Sequence, residues 1–137
     1  MTISQRVLDD VVAHARERRP VECCGVLIGQ GGQIAGAIRT RNIAESPTRF
    51  VIDPKDHFEA RRTARAQGLE VVGFYHSHPH SRAYPSPVDL AEAAYPDAVH
   101  LIVGLVGGEP EIRLFRLTDG KADGVSFEIS GSQDFRI

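Results

Sequence analysis

Three histidines and an aspartate occupy one short stretch of the chain, "HSHPHSRAYPSPVD", which spans residues 76–89. On an extended strand, residues i and i+2 face the same way, so His76 and His78 are expected to point to one side. Asp89 is the natural third ligand, because the prolines of the intervening loop restrict its conformations and help to return the chain to the same place. Two imidazole nitrogens and one carboxylate oxygen suit zinc and leave a fourth position open, which is typical of a catalytic metal.

The same stretch also has a purely structural interpretation. Ser86 can be the N-cap of a helix, with Pro87 at the first helical position and Asp89 at the third, as in a variant of the capping box. The two interpretations are compatible, because a helix N-terminus fixes both side chains and leaves one oxygen of Asp89 free for a metal. His80 continues the alternation, but Pro79 is expected to end the strand, so we assign His80 to the rim of the site or to a substrate contact.

The other histidines and the cysteines are expected to be structural. His14, His57 and His100 have no acidic or histidine neighbour at ligand spacing. Cys23 and Cys24 are adjacent, so they cannot link distant segments, and they form no CxxC zinc motif. Their apolar surroundings predict small buried packing residues rather than nucleophiles.

Metal-assisted hydrolysis needs a carboxylate that is not itself a ligand, to take a proton from water and deliver it to the leaving amine. Glu22 comes directly before an apolar run, "CCGVLIG", where partial burial would raise its pKa towards the useful range. From these residues alone, a solvated glutamate at the entrance of a strand is an equally good interpretation.

Periodicity and turn residues predict the elements that position these side chains. Apolar residues on one stripe predict a helix over 4–19 with Ser4 as its N-cap. Asp53 as an N-cap predicts a second helix over 53–68, and a short third helix is expected over 87–94. Apolar or alternating runs predict six strands, over 23–29, 33–40, 69–78, 98–106, 111–117 and 124–129.

Length and composition limit the architecture and the partners. At 137 residues the chain is about one domain long, and we predict one mixed α/β domain over 1–137 with 130–137 as a flexible tail. The 16 basic and 18 acidic residues give a net charge of -2 without a basic stripe, so nucleic acid and anionic membranes are not expected partners. No apolar run approaches the roughly 20 residues of a membrane span, so a soluble cytoplasmic protein is expected.

The spacing of these residues resembles the signature of the JAMM, or MPN-plus, metalloproteases, which is a glutamate, then His-x-His, seven residues and Ser-x-x-Asp. All five positions are present here, namely Glu22, His76, His78, Ser86 and Asp89. The flanking stretches "PVECCGVLIG", "SPTRFVIDP" and "GFYHSHP" are also similar to those of the family. The similarity covers most of residues 1–117.

The resemblance implies a zinc ion held by His76, His78 and Asp89. It implies Glu22 as the general acid and base and the Ser86 hydroxyl as the group that stabilises the oxyanion. The implied fold is a curved sheet flanked by helices, similar to that of cytidine deaminases. The implied activity is hydrolysis of the amide or isopeptide bond after the C-terminal Gly-Gly of a ubiquitin-like protein. The chain is similar to compact prokaryotic members, some of which release an amino acid such as cysteine from a ubiquitin-like sulfur carrier.

Two other functions remain as alternatives. A non-catalytic MPN-type protein-binding scaffold would have the same fold without the ligands, whereas all five motif positions are present here. A relative of the DNA-repair branch of the family would usually have Asn where this chain has Ser77, and it would need a basic surface that the composition does not indicate. Metal content and DNA binding at low salt separate these alternatives from a zinc peptidase.

Overall fold

One mixed β-sheet of eight strands lies at the centre of the computed structural model, which describes residues 1–131. Three helices within these residues flank the sheet, and none of them is long and apolar enough to cross a membrane. The elements in chain order are β1 (Thr2–Ser4), α1 (Gln5–Arg18), β2 (Cys24–Gln30), β3 (Gln33–Thr40), α2 (Pro54–Ala66), β4 (Glu70–His78), α3 (Pro87–Glu92), β5 (Val99–Gly104), β6 (Glu111–Thr118), β7 (Lys121–Val125) and β8 (Glu128–Ser130).

The sheet curves so that its two edge strands, β7 and β8, approach each other as in an incomplete barrel. Its strand order is β7-β6-β5-β4-β2-β3-β1-β8, with parallel pairs at β4–β5, β1–β3 and β1–β8. Only Ser126 and Phe127 separate β7 from β8 in sequence, although these two strands are the opposite edges of the sheet. A step of three residues spans at most about 11 Å, so the two edges lie close together and the sheet is strongly curved. This confirms the predicted curved mixed sheet flanked by helices.

The two faces of β4 pack against different helices, because side chains alternate along a strand. Tyr75 belongs to the core cluster that contains Val11 of α1. Phe74 belongs to a second cluster, which contains Ala64 of α2. His76 lies on the same face of β4 as Phe74. The two histidines at the end of β4 therefore lie on the side of the sheet that α2 covers.

The helices begin where their capping residues predict. The Ser4 Oγ accepts a hydrogen bond from the N–H of Arg6 at 3.2 Å at the start of α1. The Asp53 Oδ1 accepts one from the N–H of Lys55 at 2.9 Å at the start of α2. Both bonds satisfy N–H groups that the first turn of a helix leaves without partners. Gly68, at φ +74°, follows α2 and adopts a left-handed conformation that suits glycine.

The C-terminal strands differ from the single strand expected over 124–129. The chain leaves the sheet at Ser126 and Phe127 and resumes as β8 at the other edge, because Phe127 packs against the core cluster beneath α1. Local alternation carries no information about which edge a strand joins, so the sequence did not indicate this crossover. β8 pairs with β1, a three-residue strand that is too short to show a periodicity.

Two ends of elements also differ from expectation. The third helix ends at Glu92 rather than at 94, and Ala93 is already extended with ψ of 128°. Ser130, the first residue of the expected tail over 130–137, pairs with Ser4 in the sheet. The rest of that tail from 132 onwards lies outside the described residues.

Candidate metal centre

The end of β4 presents two buried imidazoles on one face, as the period of an extended strand predicts. His76 and His78 are 1% and 4% exposed, and their Nε2 atoms lie 3.1 Å apart. β4 lies between β2 and β5, so its backbone is held from both sides over this region. A strand fixed in this way aims both rings more accurately than a loop would.

Asp89 reaches the same point from the N-terminus of α3. The Oγ of Ser86 accepts a hydrogen bond from the N–H of Asp89 at 3.0 Å, and the Oδ2 of Asp89 accepts one from the N–H of Ser86 at 2.9 Å. This reciprocal capping box is the structural interpretation predicted for the segment. It coexists with the metal interpretation, because the same Oδ2 lies 3.0 Å from the Nε2 atoms of both His76 and His78.

The three donor atoms form a nearly equilateral triangle with sides of 3.0 to 3.1 Å. Ligands at about 2.0–2.1 Å from a tetrahedral zinc ion lie about 3.3 Å from one another, so each donor is within a few tenths of an ångström of such an arrangement. Two nitrogens and one oxygen are also the donor types that zinc accepts. His76, His78 and Asp89 therefore form a buried group that fits a metal site.

Contacts outside the triangle orient both rings. The Nδ1–H of His78 donates to the backbone carbonyl of Arg82 at 2.9 Å, which selects the tautomer whose Nε2 lone pair faces the triangle. The guanidinium of Arg82 pairs with Glu111 through two bonds of 2.8 Å and so anchors this loop to β6. The ring of Phe50 stacks on His76 with the ring centroids 4.3 Å apart.

The carboxyl group of Asp89 is held in its ionised form. Burial alone would raise its pKa, but the hydrogen bonds to His76, His78 and the N–H of Ser86 outweigh this effect and hold the pKa well below its usual range. An ionised carboxylate is the form that binds a cation. Asp89 therefore contributes one negative charge to the triangle.

Glu22 lies opposite the end of β4. Cys24 pairs with His76 across the β2–β4 ladder, and the N–H of Ser77 donates to the carbonyl of Cys23 at 3.2 Å. Continuing this antiparallel register places Glu22 opposite His78 and on the same face of the sheet. Glu22 is outside the group of donor atoms that lie within 4.8 Å of one another.

The Glu22 carboxyl group is buried and incompletely paired. The residue is 2% exposed, and its Oε1 has no hydrogen-bond partner. Burial raises the pKa of Glu22 to about 8, with His78 lowering it and Asp89 raising it. These two residues of the triangle therefore lie within electrostatic reach of the carboxyl group. This burial excludes the alternative interpretation that the sequence left open, which was a solvated glutamate at the entrance of a strand.

Ser77 fixes the segment that carries Glu22. As expected for a residue between two histidines of one strand, its side chain faces the other side, where its Oγ accepts a hydrogen bond from the N–H of Cys23 at 2.9 Å. Ser77 is completely buried. Alternation predicts the direction of this side chain, but not its partner, which lies 54 residues away in the chain.

Asn42 was not singled out by the sequence, although it uses its whole side-chain amide. Its Nδ2 donates to the backbone carbonyls of Glu22 at 3.1 Å and Arg49 at 3.0 Å. Its Oδ1 accepts from the N–H groups of Ala44 at 3.0 Å and Val51 at 2.9 Å. The known tendency of Asn to bond nearby backbone groups in loops was the one available signal.

The remaining candidates have separate positions. His80 is exposed and outside the donor group, so its assignment to the rim or to substrate stays a prediction. Cys23 and Cys24 are buried, and burial raises the pKa of their thiols to about 12 and about 11, respectively. Both therefore remain protonated, as packing residues rather than nucleophiles. His14 is buried and its Nδ1 lies 2.7 Å from the hydroxyl of Tyr75, which is a structural role.

A cavity of about 530 Å³ adjoins the triangle on the side of α2 and α3. His76 and Asp89 form part of its wall. His57 and His100 also line it, although the sequence predicted only structural roles for them. They reach the cavity because α2 packs on the face of β4 that carries Phe74, and β5, which pairs with β4, places His100 beside Phe74 on that face.

Comparisons with known proteins agree with this fold. Residues 4–118 match the family model described as prokaryotic homologs of the JAB domain. The chain is 33% identical over 109 residues to a desampylase of Haloferax volcanii, covering 74% of this chain and 78% of that protein. It is 33% identical over 123 residues to a CysO-cysteine peptidase of Mycobacterium tuberculosis, covering 88% of this chain and 84% of that protein. The solution structure of a Desulfitobacterium hafniense protein superposes with a TM-score of 0.88 at 28% identity, covering 96% and 93% of the two chains.

The chain belongs to the family of prokaryotic JAB-domain proteins, which confirms the resemblance to the JAMM metalloproteases. Because its relatives are peptidases of this type, it is a hydrolase of the JAMM type.

Proposed function

We propose that the protein is a zinc-dependent peptidase or isopeptidase that hydrolyses the amide bond after the C-terminal Gly-Gly of a ubiquitin-like protein. The observation that supports this most is the buried triangle of His76, His78 and Asp89 with the carboxyl group of Glu22 beside it. His76, His78 and Asp89 would hold the ion. When bound, zinc supplies a Lewis acid that polarises the scissile carbonyl and makes the attacking water more acidic.

Glu22 is proposed as the group that moves the proton. Its Oε1 has no hydrogen-bond partner within residues 1–131, so it is free to accept a proton from the attacking water. Its pKa of about 8 allows it to hold that proton and then to deliver it to the leaving amine. The charge of a bound cation would lower the pKa of Glu22 towards about 7. A carboxyl group with a pKa near the working pH takes up and returns a proton at similar cost in free energy.

Ser86 is proposed as a donor to the oxyanion. Its Oγ accepts the hydrogen bond from the N–H of Asp89, so the hydroxyl proton remains available to donate in another direction. The carbonyl oxygen of the substrate gains negative charge in the transition state, and a donor held in place before the reaction stabilises it. The capping box fixes Ser86 next to the ligand Asp89 and so restricts the position of this hydroxyl.

A ubiquitin-like sulfur carrier is the proposed substrate class. The names of two relatives, a desampylase and a CysO-cysteine peptidase, support a substrate of this kind, including release of an amino acid such as cysteine. The extent of the similarity also supports it, because the aligned region covers 88% of this chain and 84% of the CysO-cysteine peptidase. We propose no nucleic-acid role, since the net charge is -2.

A zinc and turnover assay tests this proposal. The purified chain should contain one zinc ion and should cleave a ubiquitin-like sulfur carrier that ends in Gly-Gly-Cys, with cleavage followed by mass spectrometry. Chelation should abolish cleavage and added zinc should restore it. Glu22→Gln should retain zinc and lose about 10²- to 10⁴-fold in turnover, because it removes the proton carrier and leaves the ligands intact.

Glu70→Gln is the matched control, since Glu70 is an exposed glutamate at the other end of β4. It should leave both zinc content and turnover unchanged. A chain without stoichiometric zinc would instead support the non-catalytic scaffold. Equal turnover in Glu22→Gln and in the parent would remove Glu22 from the mechanism.

A further inference from the structure

Two imidazoles, one buried and one half-buried, line the cavity beside the triangle. The Nε2 atoms of His57 and His100 are themselves buried and have no hydrogen-bond partner among residues 1–131. His100 is 6% exposed, lies on β5 and pairs with Phe74 of β4. His57 lies on α2 with its ring edge towards Phe74, at 5.4 Å between centroids. Unpaired polar atoms of this kind are costly in a folded protein and indicate a group that is supplied from outside.

The rest of the wall is apolar and largely aromatic. Three rings, those of Phe50, Phe74 and Tyr95, line the cavity, and Phe74 and Tyr95 lie 5.0 Å apart. The charged residues of the wall besides Asp89 are Arg49 and Glu92, which pair with each other at 2.9 Å. Apart from the metal triangle, the cavity therefore offers apolar surface, two hydrogen-bonding nitrogens and one charged pair whose members bind each other.

Both histidines are neutral near pH 7. Burial lowers the pKa of His100 to about 4, with His76 lowering it further and Asp89 opposing. Burial also lowers the pKa of His57, and Arg61 adds to this effect. Away from the triangle, a charged guest would thus find no unpaired opposite charge to compensate its loss of water, which is a severe cost in an apolar site.

We infer that this cavity is a substrate side-chain subsite in which His57 and His100 select an uncharged aromatic side chain with a hydroxyl tip, as in tyrosine. The aromatic wall accommodates the ring, and an Nε2 atom pairs with the hydroxyl group. A site built to pair with a hydroxyl discriminates against the analogue that lacks it, because its own polar atoms are then left unpaired. The inference rests on the proposed function, since the cavity adjoins His76 and Asp89 and would hold a residue close to the scissile bond.

Binding of small probes tests the subsite without requiring turnover. The zinc-loaded full chain is titrated with N-acetyl-tyrosinamide, N-acetyl-phenylalaninamide and the N-acetyl amide of 4-carboxyphenylalanine, and binding is followed by NMR through the ring signals of His57 and His100. The tyrosine probe should bind about 10-fold more tightly than the phenylalanine probe, the difference expected for one hydrogen bond in a buried site. With the zinc-free chain, in which the carboxylate has no metal ion to bind, the carboxylated probe should bind more weakly than both.

Substitution assigns the preference to the two histidines. His100→Phe and His57→Phe each keep a ring and remove the nitrogens, and each should reduce the tyrosine-to-phenylalanine ratio towards one. Thermal unfolding reports whether either variant fails to fold, and His57, on a helix surface, is the more tolerant position. Phe58→Leu is the matched control on α2, because Phe58 is 61% exposed and lies outside the cavity wall, so the ratio should remain.

Two peptide series then identify the source of the side chain. One varies the residue after Gly-Gly and the other varies the residues before it, with kcat/KM measured for tyrosine and phenylalanine at each position. A preference for tyrosine in either series supports the subsite and names its side of the scissile bond. Three results would each overturn the subsite. These are equal affinities for the tyrosine and phenylalanine probes, a tyrosine-to-phenylalanine ratio that survives in both histidine variants, and hydrolysis of both peptide series without a preference for tyrosine. Loss of all hydrolysis with intact probe selectivity would count against the proposed function and leave the subsite standing.

Discussion

The side-chain amide of Asn42 donates a hydrogen bond to the backbone carbonyl of Glu22 at 3.1 Å. Its other bonds hold the loop that carries Phe50, whose ring stacks on His76. The Asn42 amide thus connects two segments of the site. One carries Glu22, the proposed proton carrier, and the other carries Phe50, which packs on the proposed metal ligand His76. We place Asn42 among the positioning residues, because it bonds the backbones of Glu22, Arg49 and Val51 and does not itself line the cavity.

Asn42→Ala should therefore impair both stability and catalysis. It leaves four backbone groups without their partner, so we expect a loss of about 1–3 kcal/mol in the free energy of unfolding, measured with urea. Turnover should fall because Glu22 and Phe50 lose a common support, while zinc remains bound by its intact ligands. Gln5→Ala removes a single exposed hydrogen bond to Asp9 and should change neither quantity appreciably. A stable and fully active Asn42→Ala would show that the loop is held by other contacts.

Ser86 combines a capping role with a proposed catalytic one, and two substitutions separate them. Ser86→Ala should lower stability by about 1 kcal/mol, and Ser86→Gly by only a few tenths. Both should slow turnover by about 10²- to 10³-fold, because both remove the hydroxyl donor. Ser4→Ala removes the comparable cap of α1 and should lower stability with turnover unchanged. If turnover fell only in proportion to the loss of stability in each variant, Ser86 would have a capping role and no catalytic one.

Phe50 should affect the affinity for metal through its contact with His76. The stacked ring restricts the orientation of this imidazole, and partners that orient metal ligands are typically worth about 10- to 100-fold in affinity. We expect Phe50→Leu to weaken zinc binding by about 10-fold, measured by competition with a chromophoric chelator. Phe58→Leu changes an exposed phenylalanine of α2 and provides the control. Identical zinc affinities in the two variants would mean that β4 alone orients His76.

Stability of the metal-free protein should decrease as the pH falls from about 6.5 to about 4. Burial lowers the pKa of His14 to about 4, with Arg39 and Arg18 adding to the effect and Glu17 opposing. In this window the unfolded chain binds a proton that the folded chain does not, so each such histidine reduces the free energy of unfolding by up to about 1.4 kcal/mol per pH unit. Above 6.5 its contribution is complete.

His14→Asn tests this assignment, because the Asn side chain can replace the bond from Nδ1 to the Tyr75 hydroxyl. Urea unfolding at several pH values should show a shallower decrease in the variant. Part of the slope should persist, because the pKa of His100 is also lowered to about 4 by burial. An unchanged slope in His14→Asn would mean that His14 titrates alike in the folded and unfolded chains.

The centre of the site follows from short-range rules. The alternation of a strand places His76 and His78 on one face, and the capping chemistry of "SPVD" places Asp89 at a helix N-terminus. Glu22 was recognisable from the resemblance, whereas its burial depends on β2 and β4 pairing past the end of the regular ladder. The residues that surround the centre, such as Asn42 and Phe50, have no comparable local signature.

The sequence by itself determined the proposed ligand set, the helix caps and most of the strands, because each depends mainly on local spacing, capping chemistry or alternation. Only the tertiary structure decided that β7 and β8 occupy opposite edges of the sheet, that Phe50 stacks on His76, and that His57 and His100 line one cavity. Each of these relationships joins segments that are distant in the chain, through the packing of α2 and of the loop before it on β4, through the pairing of β5 with β4, or through the closure of the sheet. Such contacts arise from burial of apolar surface, which is non-directional, so no spacing along the chain encodes them.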